Sequence, residues 1–202
     1  MDVQLIGDVP GKRFSSKSSR GTSSRIRRAR NALSAGNPDV ALRNLAPLTK
    51  GGHAEAIYLT ACVSLEGESE STFARRHIKQ LTQAAKNGFA PAMFALAVYS
   101  DTGEHVKMNK RRAAKLFART AKLGHPHAQW IHAMDLIYGR NGVKRNCRLG
   151  ITYLKKSLAA RFAGAIATTA SFYAKGECGF PKDAVKARIL RRQLRDGDVL
   201  AF

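Results

Sequence analysis

Small and apolar residues recur at helical spacing along this chain, and the pattern repeats. "GHAEA" at 52–56 is followed by "GFAPA" at 88–92, "GHPHA" at 124–128 and "RFAGA" at 161–165, in steps of 36, 36 and 37 residues. Each segment ends in an alanine (Ala56, Ala92, Ala128, Ala165), and another follows five residues on, at Ala61, Ala97, Ala133 and Ala170. A small residue held at one phase of a repeated helix lets a neighbouring helix come close. Gly67, Gly103, Gly139 and Gly176 lie eleven residues after the first alanine, where left-handed geometry suits a helix C-terminus. Asn109, Asn146 and Asp183 then stand where a second helix should be N-capped. In that second helix Ala113, Leu116, Phe117 and Thr120 share one face. The pattern predicts a helix, a glycine turn and a second helix per unit. No such unit buries its apolar face alone, so the units must stack.

Residues 52–202 divide into four units, 52–87, 88–123, 124–160 and 161–202. Residues 25–51 read as a shortened leading unit, with Asn37 or Asp39 capping its second helix. Residues 11–25, "GKRFSSKSSRGTSSR", are rich in Ser, Gly and basic residues and nearly free of large apolar side chains, and 1–24 are read as a tail. Such a segment buries too little surface to offset its ordering entropy, so a disordered basic tail is expected there.

Units of this length, with A…LG…Y…G-x-G-V…D…A…W-Y-x-K-A-A…G spacing, resemble Sel-one-like repeats, relatives of tetratricopeptide repeats. The second unit carries the resemblance best: Leu96 and Ala97 stand at the "LG" pair, Gly103 and Val106 flank the turn, and Leu116–Phe117 replace Trp-Tyr. The third and fourth units have one extra turn residue, giving Gly139-x-x-Gly142-Val143 and Gly176-x-x-Gly179-Phe180. In the first, "EGESESTFA" lacks the turn valine. The resemblance implies an all-α, right-handed α/α superhelical solenoid, first helices on the concave face and second helices outside. It also implies a non-catalytic adaptor or scaffold for protein–protein contacts. His132, Asp135, Tyr99 and Tyr138 are the candidate partner-binding residues of that concave face.

Charge adds a second surface. Lys and Arg number 35 against 14 Asp and Glu, a net charge of +21. Such an excess attracts nucleic acid, acidic proteins or anionic membrane surface. The first helices are nearly uncharged, whereas the second are strongly basic. Lys107, Arg111, Lys115, Arg119 and Lys122 form one stripe in the second unit. Register extends it: Arg75 and Arg148 align with Arg111, Lys79 with Lys115, Lys156 with Arg119, and Lys86 with Lys122. Arg191 and Arg192 continue the trend in the fourth unit. A solvated face explains why these positions are charged, but not why nearly all are positive. An acidic protein partner is the first reading. Nucleic acid is the alternative, weakened because Tyr58, Phe94 and Trp130 share one packing position rather than interleaving with the basic residues.

The chemistry of catalysis is missing. No phosphate loop, HExxH or GxSxG occurs, so no enzyme activity and no cofactor are expected. Three cysteines, Cys62, Cys147 and Cys178, show no CxxC and fit a reducing compartment. No membrane-length apolar run or secretory signal is apparent, so a cytoplasmic location is expected. His125, His127 and His132 invite a metal reading, but no third ligand is evident after register places the first two at the joint between units. His132 is the unusual one. It fills the slot of Leu96, with Asp135 placed at i+3 to hydrogen-bond it.

Overall fold

A computed structural model describes residues 19–197, and within them ten helices follow one another with no strand. They run α1 (Ser19–Ser34), α2 (Pro38–Lys50), α3 (Ala54–Ala61), α4 (Glu70–Lys86), α5 (Ala90–Thr102), α6 (Lys110–Lys122), α7 (Pro126–Tyr138), α8 (Cys147–Ala159), α9 (Ala163–Lys175) and α10 (Ala184–Arg195). Each packs against the next along the chain, and α7 also touches α9. The result is an all-α repeat solenoid. Its core is a series of apolar clusters, each shared between a second helix and the first helices on either side of it.

Local chemistry accounts for the helix ends. Asn109, Asn146 and Asp183 accept from the backbone N–H of Arg112, Leu149 and Lys186, as their spacing predicts. Gly103, Gly139 and Gly176 close α5, α7 and α9 in the left-handed conformation. The first helices start at equivalent positions, His53, Phe89, His125 and Phe162. His53 and His125 cap their helices through Nδ1, accepting from the N–H of Ala56 and Ala128. The eight register alanines are all buried.

Two expectations change. The leading pair is not short in its helices. α1 begins at Ser19, inside the segment expected to be tail, and residues 1–18 lie outside the described residues. Ile26, Ala29 and Ala32 bury one face of α1 against α2 and α3, and extending a docked helix by another turn is cheap. The economy lies in the turn, three residues (35–37) between α1 and α2. Asn37 is the N-cap of α2, but its side chain makes no capping bond.

Gly67 does not close a helix. α3 stops at Ala61, and α4 starts early at Glu70, capped by Ser69. The carbonyls freed at the end of α3 are taken by α4. Arg76 donates to Thr60 O at 3.2 Å and Val63 O at 2.6 Å, and to Glu68 at 2.7 and 2.8 Å. His77 Nδ1 meets Ala61 O at 2.7 Å. Other units hold Ala113, Gly150 and Ala187 at the position of His77, and none of these reaches a carbonyl.

Candidate partner-binding site

The four residues expected on a concave groove do not form one accessible surface. His132 and Asp135 are 7% and 3% exposed, so neither offers a contact face. The expected bond between them is absent. Asp135 Oδ1 accepts from Asn141 Nδ2 at 2.9 Å, while Asp135 Oδ2 and His132 Nδ1 are buried without a partner among the described residues. The His132 ring instead lies edge-on to Tyr153, centroids 4.9 Å apart. Burial holds the Asp135 carboxyl above the usual carboxylate range and the His132 imidazole below its own, with Lys122 adding to the second shift. Both groups are thus pushed toward neutrality, as the interior demands.

Tyr99 is half-buried and committed inward, its hydroxyl 3.0 Å from His77 Nε2. His77 is the buried residue that periodicity missed, because it has no counterpart in the other units. Phe73 stacks on it, and His105 lies near both it and Tyr99. With Nδ1 against the Ala61 carbonyl, Nδ1 carries the proton and Nε2 accepts from Tyr99. Burial lowers the imidazole's affinity for a second proton. Only Tyr138 of the four is substantially exposed, and the Arg140 guanidinium lies over its ring at 4.6 Å.

The histidines at the joint are packing groups. His125 stacks on Phe94 at 4.4 Å, and His127 stacks on Phe162 at 4.8 Å. Burial pushes both imidazoles down to about 4, with His125 adding to the shift of His127. Trp130 packs on Phe162 and donates to Thr168 Oγ1 at 2.9 Å.

The outer basic surface is laid out more as expected, with corrections at two places. Arg75, Lys79, Arg111, Lys115, Arg119, Lys122, Arg148 and Lys156 are exposed on the second helices. Among the described residues, none of these eight pairs with a carboxylate. Lys107 is exposed too, but it sits in the turn before α6 rather than on the helix. The fourth unit does not continue the columns. In register, Arg75, Arg111 and Arg148 are followed by Val185, and Lys79 and Lys115 by Thr152 and then Ile189. Arg191 instead takes the slot of Leu81, Phe117 and Leu154, which are 0%, 4% and 0% exposed. Arg192 pairs with Asp196 at 3.4 Å. A trend in composition had hidden a rotation of the charge around α10.

Among the described residues no helix is long and apolar enough to cross a membrane. Cys62, Cys147 and Cys178 are free thiols, and burial pushes that of Cys62 up to about 11.

Three segments of the chain, 90–125, 126–162 and 164–190, match the Sel1 repeat family model. No curated protein matches the sequence. Among solved structures, the chain is similar to a Sel1 repeat protein from Oxalobacter formigenes. The two share 17% identity over 87% of this chain and 73% of that one, with a TM-score of 0.74. It is also similar to c5321, a protective antigen present in uropathogenic Escherichia coli strains and displaying an SLR fold. That match has 21% identity and a TM-score of 0.65, covering 77% of this chain but 33% of the other. The chain therefore spans about a third of that antigen's length. At such identities the likeness is one of fold.

Proposed function

This chain belongs to the Sel1-like repeat proteins, and on that premise we propose that it is a non-catalytic adaptor whose basic outer face recruits an acidic protein. Sel1 repeats commonly mediate protein–protein contacts and are generally scaffolds rather than catalysts. One observation carries the finer reading. The columns Arg75–Arg111–Arg148, Lys79–Lys115 and Arg119–Lys156 are exposed and, among the described residues, lack carboxylate partners. α6 and α8 contain no acidic residue at all. The columns stand on successive second helices at equivalent positions, so their charges add into one positive field. Mixed signs would dissolve the surface as well and repel less.

A further observation supports a protein partner over single-stranded nucleic acid. Phe94 is buried, and Tyr58 and Trp130 are half-buried in the clusters between helices, so none forms an open stacking platform beside the basic columns. Because His132, Asp135 and Tyr99 face inward, this reading assigns recognition to the second helices rather than the first. Free thiols at Cys62, Cys147 and Cys178 suit a reducing, cytoplasmic setting.

The test uses the full chain and a triple reversal, R111E/K115E/R119E. Labelled poly-glutamate and oligo-uridine of equal charge are titrated against both proteins across a range of salt. Poly-glutamate should bind with a steep salt dependence, and the variant should lose about tenfold or more in affinity. A flat salt dependence overturns the reading, and so does tighter binding of oligo-uridine than of poly-glutamate.

A further inference from the structure

Two of the cysteines stand at one joint of the stack. Cys147 opens α8, and Cys178 lies in the turn before α10. The preceding joint shows how such a turn sits. Arg111 Cγ is 3.2 Å from where a Cβ on Gly142 would stand, so the start of α6 abuts the turn before α8. One unit on, Cys147 is the register mate of Lys110, and Cys178 of Asn141. The two turns are built alike. Asn141 and Cys178 take φ of 54° and 53°, and Gly142 and Gly179 follow at 77° and 78°. Val143 N–H donates to Arg140 O in the first turn, and Phe180 N–H to Glu177 O in the second. The same stacking therefore sets the start of α8 against the turn that holds Cys178.

The surroundings of the two thiols agree. Both pack on one apolar cluster that includes Ile137, Phe172 and Phe180, and both are half-buried, so a small reagent reaches them. Both act on the Tyr138 phenol. Burial raises the Cys178 thiol above its ordinary value, and Cys147 adds more to that rise than the adjoining Glu177 does. A sulfur that outweighs a neighbouring carboxylate is close by. Arg145 Nη2 lies 3.7 Å from Cys147 Sγ, so a cation faces that sulfur.

We propose that Cys147 and Cys178 are a dithiol that closes to a disulfide between the third and fourth units when a low-molecular-weight disulfide is present as oxidant. The Cys147 thiolate attacks one sulfur of the oxidant, forms a mixed disulfide and expels one thiolate. The Cys178 thiolate then attacks Cys147 Sγ, and the second thiolate of the oxidant leaves. The protein loses two electrons and two protons, and the oxidant takes them up as two thiols. Cys147 goes first because a cation beside a sulfur favours its attack, whereas burial makes Cys178 harder to ionise. A reducing compartment keeps the pair open, so closure is a response to oxidant. The bond ties the start of α8 to the turn before α10 and braces that joint. The proposal stands apart from the basic outer face.

The experiment incubates the full chain with oxidised and reduced glutathione at a series of ratios, quenches in acid and alkylates the remaining thiols. Peptide mass spectrometry should find a Cys147–Cys178 cross-link within one chain. Cys62, whose thiol burial pushes up to about 11, is the internal control and should stay reduced. Closing a loop of about 30 residues should raise the melting temperature by about 5 °C or more, and dithiothreitol should abolish the rise. Cys147→Ser and Cys178→Ser should each show no such rise, and oxidation should leave a single glutathione on the remaining partner. A second measurement needs no oxidation. Phenylarsine oxide, which bridges two neighbouring thiols, should protect Cys147 and Cys178 from alkylation in the reduced protein, and should protect neither Ser variant. A lasting glutathione on both cysteines overturns the proposal. A cross-link between two copies of the chain does the same, as does an unchanged melting temperature in the cross-linked protein or a lack of protection by the arsenical.

Discussion

Gly150 reports how closely α7 and α8 approach. Its register mates on α6 and α10 are Ala113 and Ala187, each 1% exposed, so a methyl group is normal at this position. In α8 it would not fit. A Cβ on Gly150 would stand 2.7 Å from Ile137 Cγ1, 3.0 Å from Ala133 O and 3.2 Å from Ile137 N. Two of these atoms are backbone, so turning the Ile137 side chain relieves only part of the clash. Bulk has moved across the contact: Ile137 stands where α5 has Asp101 and α9 has Ala174. Gly150→Ala gains about 0.8–1.0 kcal/mol of helix propensity. Overpacking costs about 1–3 kcal/mol, leaving a net loss of about 1 kcal/mol. For a chain of this size that lowers the melting temperature by about 2–4 °C. Ile137→Ala alone should cost about 2–5 kcal/mol through the cavity it leaves. In the double variant the new methyl group enters that cavity, so the loss should fall short of the sum by about 0.5–3 kcal/mol. Urea unfolding of the four proteins, followed by circular dichroism with matched m-values, measures the coupling. A rise in stability for Gly150→Ala, or strict additivity in the double variant, refutes the close approach as its cause.

Two other predictions concern side chains that bridge elements. Arg76→Met keeps the bulk but removes every donor to Glu68, Thr60 O and Val63 O, so the α3–α4 segment should unfold and exchange its amides first. The Arg76 hydrogen bond also holds the Glu68 carboxyl below its ordinary range. That part of the stability is present above the unfolded carboxylate value and lost as pH falls through the lower folded value; in Arg76→Met this acid loss should vanish from urea midpoints taken between about pH 2 and 5. His125→Phe copies Phe89 and Phe162, removing an unpartnered buried Nε2 but also the cap to Ala128 N. His125 is held near pH 4 by burial, so it stabilises fully above the unfolded histidine value of about 6.5, and that stability drains away as pH falls toward about 4. The Phe variant should show a shallower drop in melting temperature across that window, and an unchanged slope would mean that His125 is not buried as a neutral imidazole.

The repeat itself was legible because stacking makes the same demand at every turn of the solenoid. Alanines at one phase, glycines that tolerate positive φ and Asn or Asp caps are local requirements, and they recur at fixed intervals. For that reason the caps at Asn109, Asn146 and Asp183 and the closing glycines of three first helices stood where the spacing put them. The site was less legible, since it depends on which way a side chain turns. His132 and Asp135 looked like a polar pair offered to a partner, yet both are buried, and Asp135 bonds Asn141 from the following turn.

What the sequence determined by itself is the fold class, the order of helix pairs and the presence of a large positive charge, because these follow from periodicity, capping chemistry and composition. The tertiary structure alone decided the rest. It ended α3 at Ala61, because Arg76 and His77 reach across from α4 to claim its last carbonyls. It also left Arg191 exposed on α10, at the position where Leu81, Phe117 and Leu154 are buried on the other second helices. Direction around a helix is set by what that helix packs against, and among the described residues α10 packs chiefly on α9.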